Sequence, residues 1–281
     1  KSILVFLFSE TGLIPIRYCR IGLALGFLIY LLDLPQAHLA YAALVNAFTL
    51  SDNGQPNWVN DLITALARLP IPVVCTLSGI RNSDQIKQLT TEVLHSYEAS
   101  IQSSLLTHVC THFLRNRIEY NDQDHWLLNV PIMMLRSYLS IITVPKHHHA
   151  FTRFIASSHA LSIECLRYAE RYHPPIPCEW RLCRFCQTGI EDECHALLIC
   201  SGYSVLLYLR HCFLEDVFDK MPPLRSSYLD LSSPDFLQLI LFRCRILPIL
   251  AKFIYNVLLI FSGKEAWIPP PELYQPSIIG N

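Results

Sequence analysis

An all-α architecture, a multi-helix bundle with a small Cys-Cys-His-Cys zinc knuckle inserted between helices, follows from three features of this chain. Apolar residues recur at helical spacing and make up 52% of the 281 residues against 16% charged, which excludes a disordered chain and points to mostly buried helices. Strand signals are almost absent: one β-branched run, residues 73–80, is the only tolerable strand, and a buried extended segment accounts for it equally well. Finally, Cys183 and Cys186 flank two residues, His195 follows after eight and Cys200 after four more, so three thiolates and one imidazole can close a tetrahedron around zinc. In a chain with eleven cysteines a lone Cys-x-x-Cys means little, and it is the His-x-x-x-x-Cys soon after it that carries the signal.

The elements follow in order. An apolar helix over residues 18–32 is closed by Asp33-Leu-Pro35, and a second runs from near Pro35 to about Leu50, because proline is tolerated only in a first turn. Residues 51–56 are a loop by their turn residues, and Trp58, Leu62, Leu66 and Leu69 mark a helix stopped by Pro70 and Pro72. Ser83-Asp84 can cap a helix over residues 85–94, with another or a continuation over 97–114, and residues 115–124 are a polar loop or ribbon. Pro131 is expected to open a helix that ends before Pro145. Over residues 147–172 one wheel face carries Phe151, Phe154, Leu161, Cys165, Leu166, Ala169 and Tyr172, while Arg153, Arg167 and Arg171 fall within about 40° of each other opposite them. This predicts an amphipathic helix with a basic outer stripe, ended by His173-Pro-Pro-Ile-Pro177, a stiff spacer to Trp180. A helix carrying Leu206, Leu209 and Phe213 is broken at Pro222-Pro223, and the last long one, 235–261, starts at Ser233-Pro234 and kinks or breaks at Pro248.

Two lobes are expected: a helical bundle over residues 1–145, and residues 146–281 with the basic helix, the knuckle (178–203) and the C-terminal helices. The longest apolar stretches, 21–32 and 253–261, fall short of the roughly 18 to 20 residues a membrane span needs, so both read as core helices and no membrane partner is expected. No cleavable signal pattern opens the chain, and without an initiator methionine the reading frame is expected to extend upstream. Cysteines in an uneven scatter, four of them at zinc spacing, suit a reducing intracellular compartment, nucleus or cytoplasm. Net charge is −1, so any nucleic-acid contact must be local; residues 146–184 hold six basic side chains against three acidic.

Four ligands leave no open position for water, which disfavours catalysis at the metal. On one regular helix His195 and Cys200 would lie about 140° apart, so the helix must end before Cys200, with Ser201-Gly202 supplying the turn and Glu191-Asp192 capping the start. Cys194 and Cys178 are alternates for His195 and Cys183. Arg181 and Arg184 read as a phosphate-contact pair and Phe185 as a base-stacking ring, or else as a solvated pair and a packing ring. His108-x-Cys110-x-His112 could hold a second metal, although polar residues on a helix flank explain it better.

These residues resemble a known family. Trp180-Arg-Leu-Cys183-x-x-Cys186 followed by Glu191-Asp-Glu-x-His195-Ala-Leu-Leu-x-Cys200 is similar to the zinc-binding segment near the C-terminus of non-LTR, LINE-type retrotransposon reverse transcriptases, the fungal copies above all. Glu10-Thr-Gly-Leu-Ile-Pro-Ile-Arg17, Leu34-Pro-x-x-His38, and Arg153 followed by Ser157-Ser-His159-Ala-Leu161 fit the same resemblance. It implies one structural zinc ion on Cys183, Cys186, His195 and Cys200, RNA or DNA as template or target partner, and an upstream polymerase domain in the parent protein. The family's catalytic Tyr/Phe-x-Asp-Asp pair is missing, as are a Gly-x-Ser-x-Gly motif and a Gly-rich phosphate loop, so no catalysis and no small-molecule substrate is expected of these residues. The expected function is nucleic-acid binding that assists target-primed reverse transcription, with Arg153, Arg167, Arg171, Arg181 and Arg184 on phosphates. The alternatives are a zinc-stapled helical module that binds protein, or a decayed transposon remnant without a selected role.

Overall fold

The computed structural model describes residues 4–115, 117–121, 123, 125–128, 130–167 and 176–274. Among these the architecture is all-α: thirteen α-helices and no β-strand, with three isolated antiparallel bridges as the only extended pairing. Residues 73–78 are irregular and lead into a 3₁₀ turn, Gly79–Arg81.

The chain divides into two units, Lys1–His108 with Pro131–Leu135, and Val109–Val130 with Arg136–Asn281. The first contains α1 (Leu4–Thr11), α2 (Ile16–Leu32), α3 (Leu39–Asp52), α4 (Trp58–Ala67) and α5 (Ser83–Thr107). Between α1 and α2 stands Gly12 at φ 69°, where a side chain would also press within 3.2 Å of the Met134 backbone. Pro35 lies before α3, and His38 Nδ1 accepts from the Ala40 N–H as its cap. Asn57 caps α4, and Asn82, one residue ahead of the expected Ser83, caps α5 by accepting from the Asp84 and Gln85 N–H groups. α5 is one continuous helix where a break near residue 95 was allowed, because Val93, Tyr97, Ile101 and Leu105 keep one buried face. That face meets α2, with the Tyr18 and Tyr97 rings 4.6 Å apart.

The second unit holds α6 (His112–Arg115), α7 (Tyr138–Ile141), α8 (Pro145–Ile155), α9 (Ser162–Cys165), α10 (Ser204–Lys220), α11 (Pro223–Asp230), α12 (Ser233–Ile240) and α13 (Leu247–Ser262). Its spine is α13, which packs against α8 and α10; Leu250, Ile254, Val257 and Phe261 are buried, and Phe253 stacks on Phe213 at 4.2 Å. Burying this apolar stripe contributes about 1.5–3 kcal/mol per side chain before chain entropy is counted.

Four expectations change. The lobe boundary falls near residue 108 and not 145, because residues 109–130 and 136–145 pack with the second unit. Pro131 opens no helix: residues 131–135 are irregular and return to the first unit, where Leu135 bridges Thr11 and the Met134 N–H donates to Ser9 O at 3.4 Å. The C-terminal helix is two helices, and Pro248 sits in the first turn of α13 instead of kinking an interior.

Most consequential, the helix expected over 147–172 stops at Ile155. Ser157 takes the left-handed conformation at φ 47°, its N–H donates to Phe154 O, and the Ser158 N–H reaches back to Arg153 O at 2.8 Å, a Schellman closure. Leu161, Cys165 and Leu166 therefore do not extend the apolar face of α8, since α9 starts a new element. Residues 168–175, which include Arg171 and most of the proline spacer, lie outside the described residues.

No single described helix is long and apolar enough to cross a membrane; α1 and α2, bent by 59°, meet that test only as a pair, by length and composition.

Candidate metal centre

The ligand loop is built on a two-residue ribbon. Leu182 bridges Ile190, the Cys183 N–H donates to Gly189 O at 2.8 Å, and the Glu191 N–H to Arg181 O at 2.9 Å. At its tip Gln187 adopts φ 55°, turning the chain so that Cys183 and Cys186 point to one place. Asp192 then accepts from the His195 N–H at 2.7 Å.

From His195 to Ile199 the chain takes a π turn, and the Cys200 N–H donates to His195 O at 2.8 Å. The wider i→i+5 turn solves the phase problem of the sequence: residues five apart, badly placed on an α-helix, come to the same side when the turn widens. Gly202 lets the following chain pass the first ligand pair, since a Cβ there would stand 2.7 Å from Cys186 N and Phe185 C. Its requirement is closeness to another backbone, more than the turn the sequence suggested.

The Cys183 and Cys200 sulfurs lie 3.5 Å apart, the Cys186 sulfur is 3.2 Å from His195 Nε2, and all four ligand atoms fall within 4.8 Å of one another. Tetrahedral coordination at ordinary bond lengths asks for separations of about 3.6–3.8 Å, so these four side chains can hold a metal ion. The Phe185 N–H approaches the Cys183 sulfur at 3.5 Å. Without a bound cation the thiols and the imidazole share protons through these contacts. The bond to Cys200 and then burial push Cys183 up to about 12, while the same bond brings Cys200 down and contact with Cys183 raises His195. A bound cation takes the place of that proton and lets all three sulfurs ionise.

The alternates resolve in favour of the expected set. Cys178 is exposed, and Cys194, pushed up to about 12 by burial and then by Asp192 and Glu193, stays outside the group. No other group of three or more potential ligands comes together among the described residues, so His108, Cys110 and His112 form no second centre there.

Around the ligands lies a shell that the sequence reading did not assign. Glu191 is fully buried; it accepts from the Ser162 N–H (2.7 Å) and hydroxyl (2.9 Å) and from the Arg184 N–H (2.7 Å) and guanidinium (2.6 Å). It caps nothing in its own segment, a task left to Asp192. Arg184 also donates to the carbonyls of Ala160, Phe261 and Lys264. Glu193 meets His159 at 2.9 Å, which holds its carboxyl below the usual range in spite of burial. Arg210, one helix away, donates to Leu197 O (2.7 Å) and Cys200 O (2.9 Å), satisfying carbonyls that the π turn leaves open. Arg184, Glu191 and Glu193 stand within the motif; nothing in the spacing of Ser162 or Arg210 marks them as supports.

The expected phosphate contacts fare unevenly. Arg184 is 4% exposed with its donors turned inward, so it is a structural residue, unavailable to phosphate. Arg167 pairs with Glu164 at 3.1 Å and reaches the Cys110 sulfur at 2.6 Å; Arg181 donates to Ile176 O and Ile163 O, both at 3.0 Å. Arg153 is exposed on α8, with Nε on Ser158 O at 2.6 Å. The single stripe therefore dissolves: Arg153 sits on α8 and Arg167 beyond the end of α9. Phe185 is half-buried, stacked on Tyr203 at 5.0 Å and 9°, edge-on to Phe261, with Lys264 Nζ 4.8 Å from its centroid. Phe185, Tyr203 and Lys264, with Gly202, Leu259, Ile260 and Gly263, line an open groove of about 550 Å³ beside the ligand loop. Tyr203 and Lys264 were not anticipated, Lys264 because it joins the site from the far end of α13.

Compared with models of known protein families, with curated proteins and with solved structures, the chain matches none.

Proposed function

We propose that this chain is the nucleic-acid-binding C-terminal region of a non-LTR retrotransposon reverse transcriptase, stapled by one structural zinc ion and assisting template or target binding without catalysis of its own. The observation that carries the reading is the groove beside the ligand loop, where the stacked Phe185 and Tyr203 rings and a lysine converge next to a Cys/His group that can hold a metal ion. Aromatic faces next to cations are how unpaired bases and their phosphates are gripped without sequence readout. Zinc is favoured among metals by three soft thiolates and one imidazole in a closed tetrahedron. Arg153 and Arg181 supply further positive charge, while Arg184 holds the loop in place.

Fluorescence titration of labelled single-stranded and hairpin RNA at low and moderate salt tests it. Affinity that falls steeply with salt, and falls again in Tyr203→Ala and Lys264→Gln, is the expected result. Absence of binding at low salt would sink the reading. A protein-binding module is the second reading, favoured by the exposed Leu207 and Tyr208 on α10; its binding would be insensitive to salt.

A further inference from the structure

A groove in the first unit has no part in the metal centre. Its volume is about 520 Å³, and it is lined by Ile16, Arg17, Arg20 and Ile21 of α2 and by Asp61, Thr64, Ala65 and Arg68 of α4 and its C-terminal cap. Three guanidiniums thus face one carboxylate, in a chain whose net charge is −1. All three arginines are exposed, and none enters a hydrogen bond or ion pair through its side chain among the described residues; Arg81 in the same unit, by contrast, is paired with Asp52 at 2.6 Å.

Their placement on α2 works against the helix. Arg17 and Arg20 stand in its first two turns, where the helix dipole is positive, and the segment has neither an acidic first turn nor a side-chain cap at Pro15. Cations gathered at that end, with Arg68 brought from a second helix, are mutually repelled until an anion enters. The planar guanidinium fork suits a phosphate oxygen pair. Buried Ile21, with Ile16 and Ala65 lining the same groove, gives an apolar surface that suits a sugar face, and Asp61 and Thr64 offer acceptors for the hydroxyl and amine donors of a nucleotide. An acidic peptide also brings anions to the arginines, but it offers those acceptors only backbone N–H donors and has no sugar face for the apolar surface.

We infer that this groove binds the phosphodiester backbone of a single-stranded nucleic acid, as a second contact separate from the aromatic groove. The inference rests on the nucleic-acid reading above but on different residues. It is tested on the full chain with fluorescein-labelled single-stranded RNA, titrated at about 50 and 200 mM salt. Wild type is compared with Arg17→Gln/Arg20→Gln/Arg68→Gln and with Tyr203→Ala/Lys264→Gln. The triple variant is expected to bind at least tenfold more weakly at the lower salt, with a log–log salt slope smaller by about 2, as three lost single-strand phosphate contacts require. Circular dichroism checks that it folds; if it does not, Arg68→Gln alone should lower the slope by about 0.7. Unchanged affinity and slope in the arginine variant, with weakened binding in the Tyr203 variant, overturns this groove and leaves the nucleic-acid reading standing. Failure of wild type to bind at all removes both. Polyglutamate binding that is lost in the triple variant while RNA binding persists overturns the inference in favour of an acidic protein partner.

Discussion

The Arg184 guanidinium and the Glu191 carboxylate meet at 2.6 Å with side-chain exposures of 3% and 0%, and between them they tie the ligand loop to the start of α9 and the end of α13. A buried pair of this kind contributes little against a well-packed apolar replacement, but breaking one side strands a charge at a cost of about 3–5 kcal/mol. Arg184→Met and Glu191→Met are each expected to destabilise the second unit by that order in urea unfolding. The double variant should lose clearly less than the sum. A surface phosphate ligand behaves otherwise: its removal would lower RNA affinity and salt slope at unchanged stability, and that outcome would return Arg184 to the interface.

Metal removal gives the second test. One zinc per chain is expected by elemental analysis of untagged protein. Cys183→Ser, Cys186→Ser or Cys200→Ser should each lower the content, while Cys194→Ser, whose sulfur lies outside the group, should leave it unchanged. A structural site of this donor set is worth on the order of 10 to 16 kcal/mol of apparent binding in small peptides, so chelation should unfold the ligand loop and the π turn that depends on it. Because the thiols must shed their protons to bind, affinity falls as pH falls. Full metal content in Cys186→Ser would refute the ligand set.

What the sequence made legible was the chemistry that is local in the chain. Cys183, Cys186, His195 and Cys200 lie within eighteen residues, and their spacing alone brought the group together. Helices bounded by a proline or a capping residue, such as α2, α4 and α10, fell where the pattern placed them. What failed was the inference from phase to continuity over residues 147–172, because a serine in the left-handed region ends α8 where glycine would have signalled a stop. Partners distant in sequence were illegible for a different reason. Arg184 looks like a surface cation until Phe261 and Lys264, nearly eighty residues on, supply acceptors for it.

Gly202 offers a third prediction, and it isolates packing from ligation. A methyl there would sit 2.7 Å from the Cys186 and Phe185 backbone, so Gly202→Ala must push the chain after Cys200 away from the first ligand pair. Overpacking of this kind costs about 1–3 kcal/mol. The four ligands remain, so metal should still bind, but with weaker affinity in a chelator competition than wild type. Wild-type affinity and stability in this variant would show that the close approach is dispensable.

Glu164 supplies the pH dependence. Burial raises its carboxyl above the usual glutamate range although Arg167 lies 3.1 Å away and acts in the opposite sense, and Oε2 is buried without a hydrogen-bond partner. The folded-state value exceeds the unfolded one, so the protonated carboxyl is the form the fold favours. Its contribution is full below the unfolded glutamate value and is lost as pH rises through the folded value. Glu164→Gln keeps the shape and cannot ionise. Its stability relative to wild type, read from urea midpoints across the acidic to neutral range, should therefore improve as pH rises and level off once the wild-type carboxyl is fully ionised. A relative stability that instead declines with rising pH would mean that the pairing with Arg167 outweighs burial, and that the carboxylate is the form the second unit is built around.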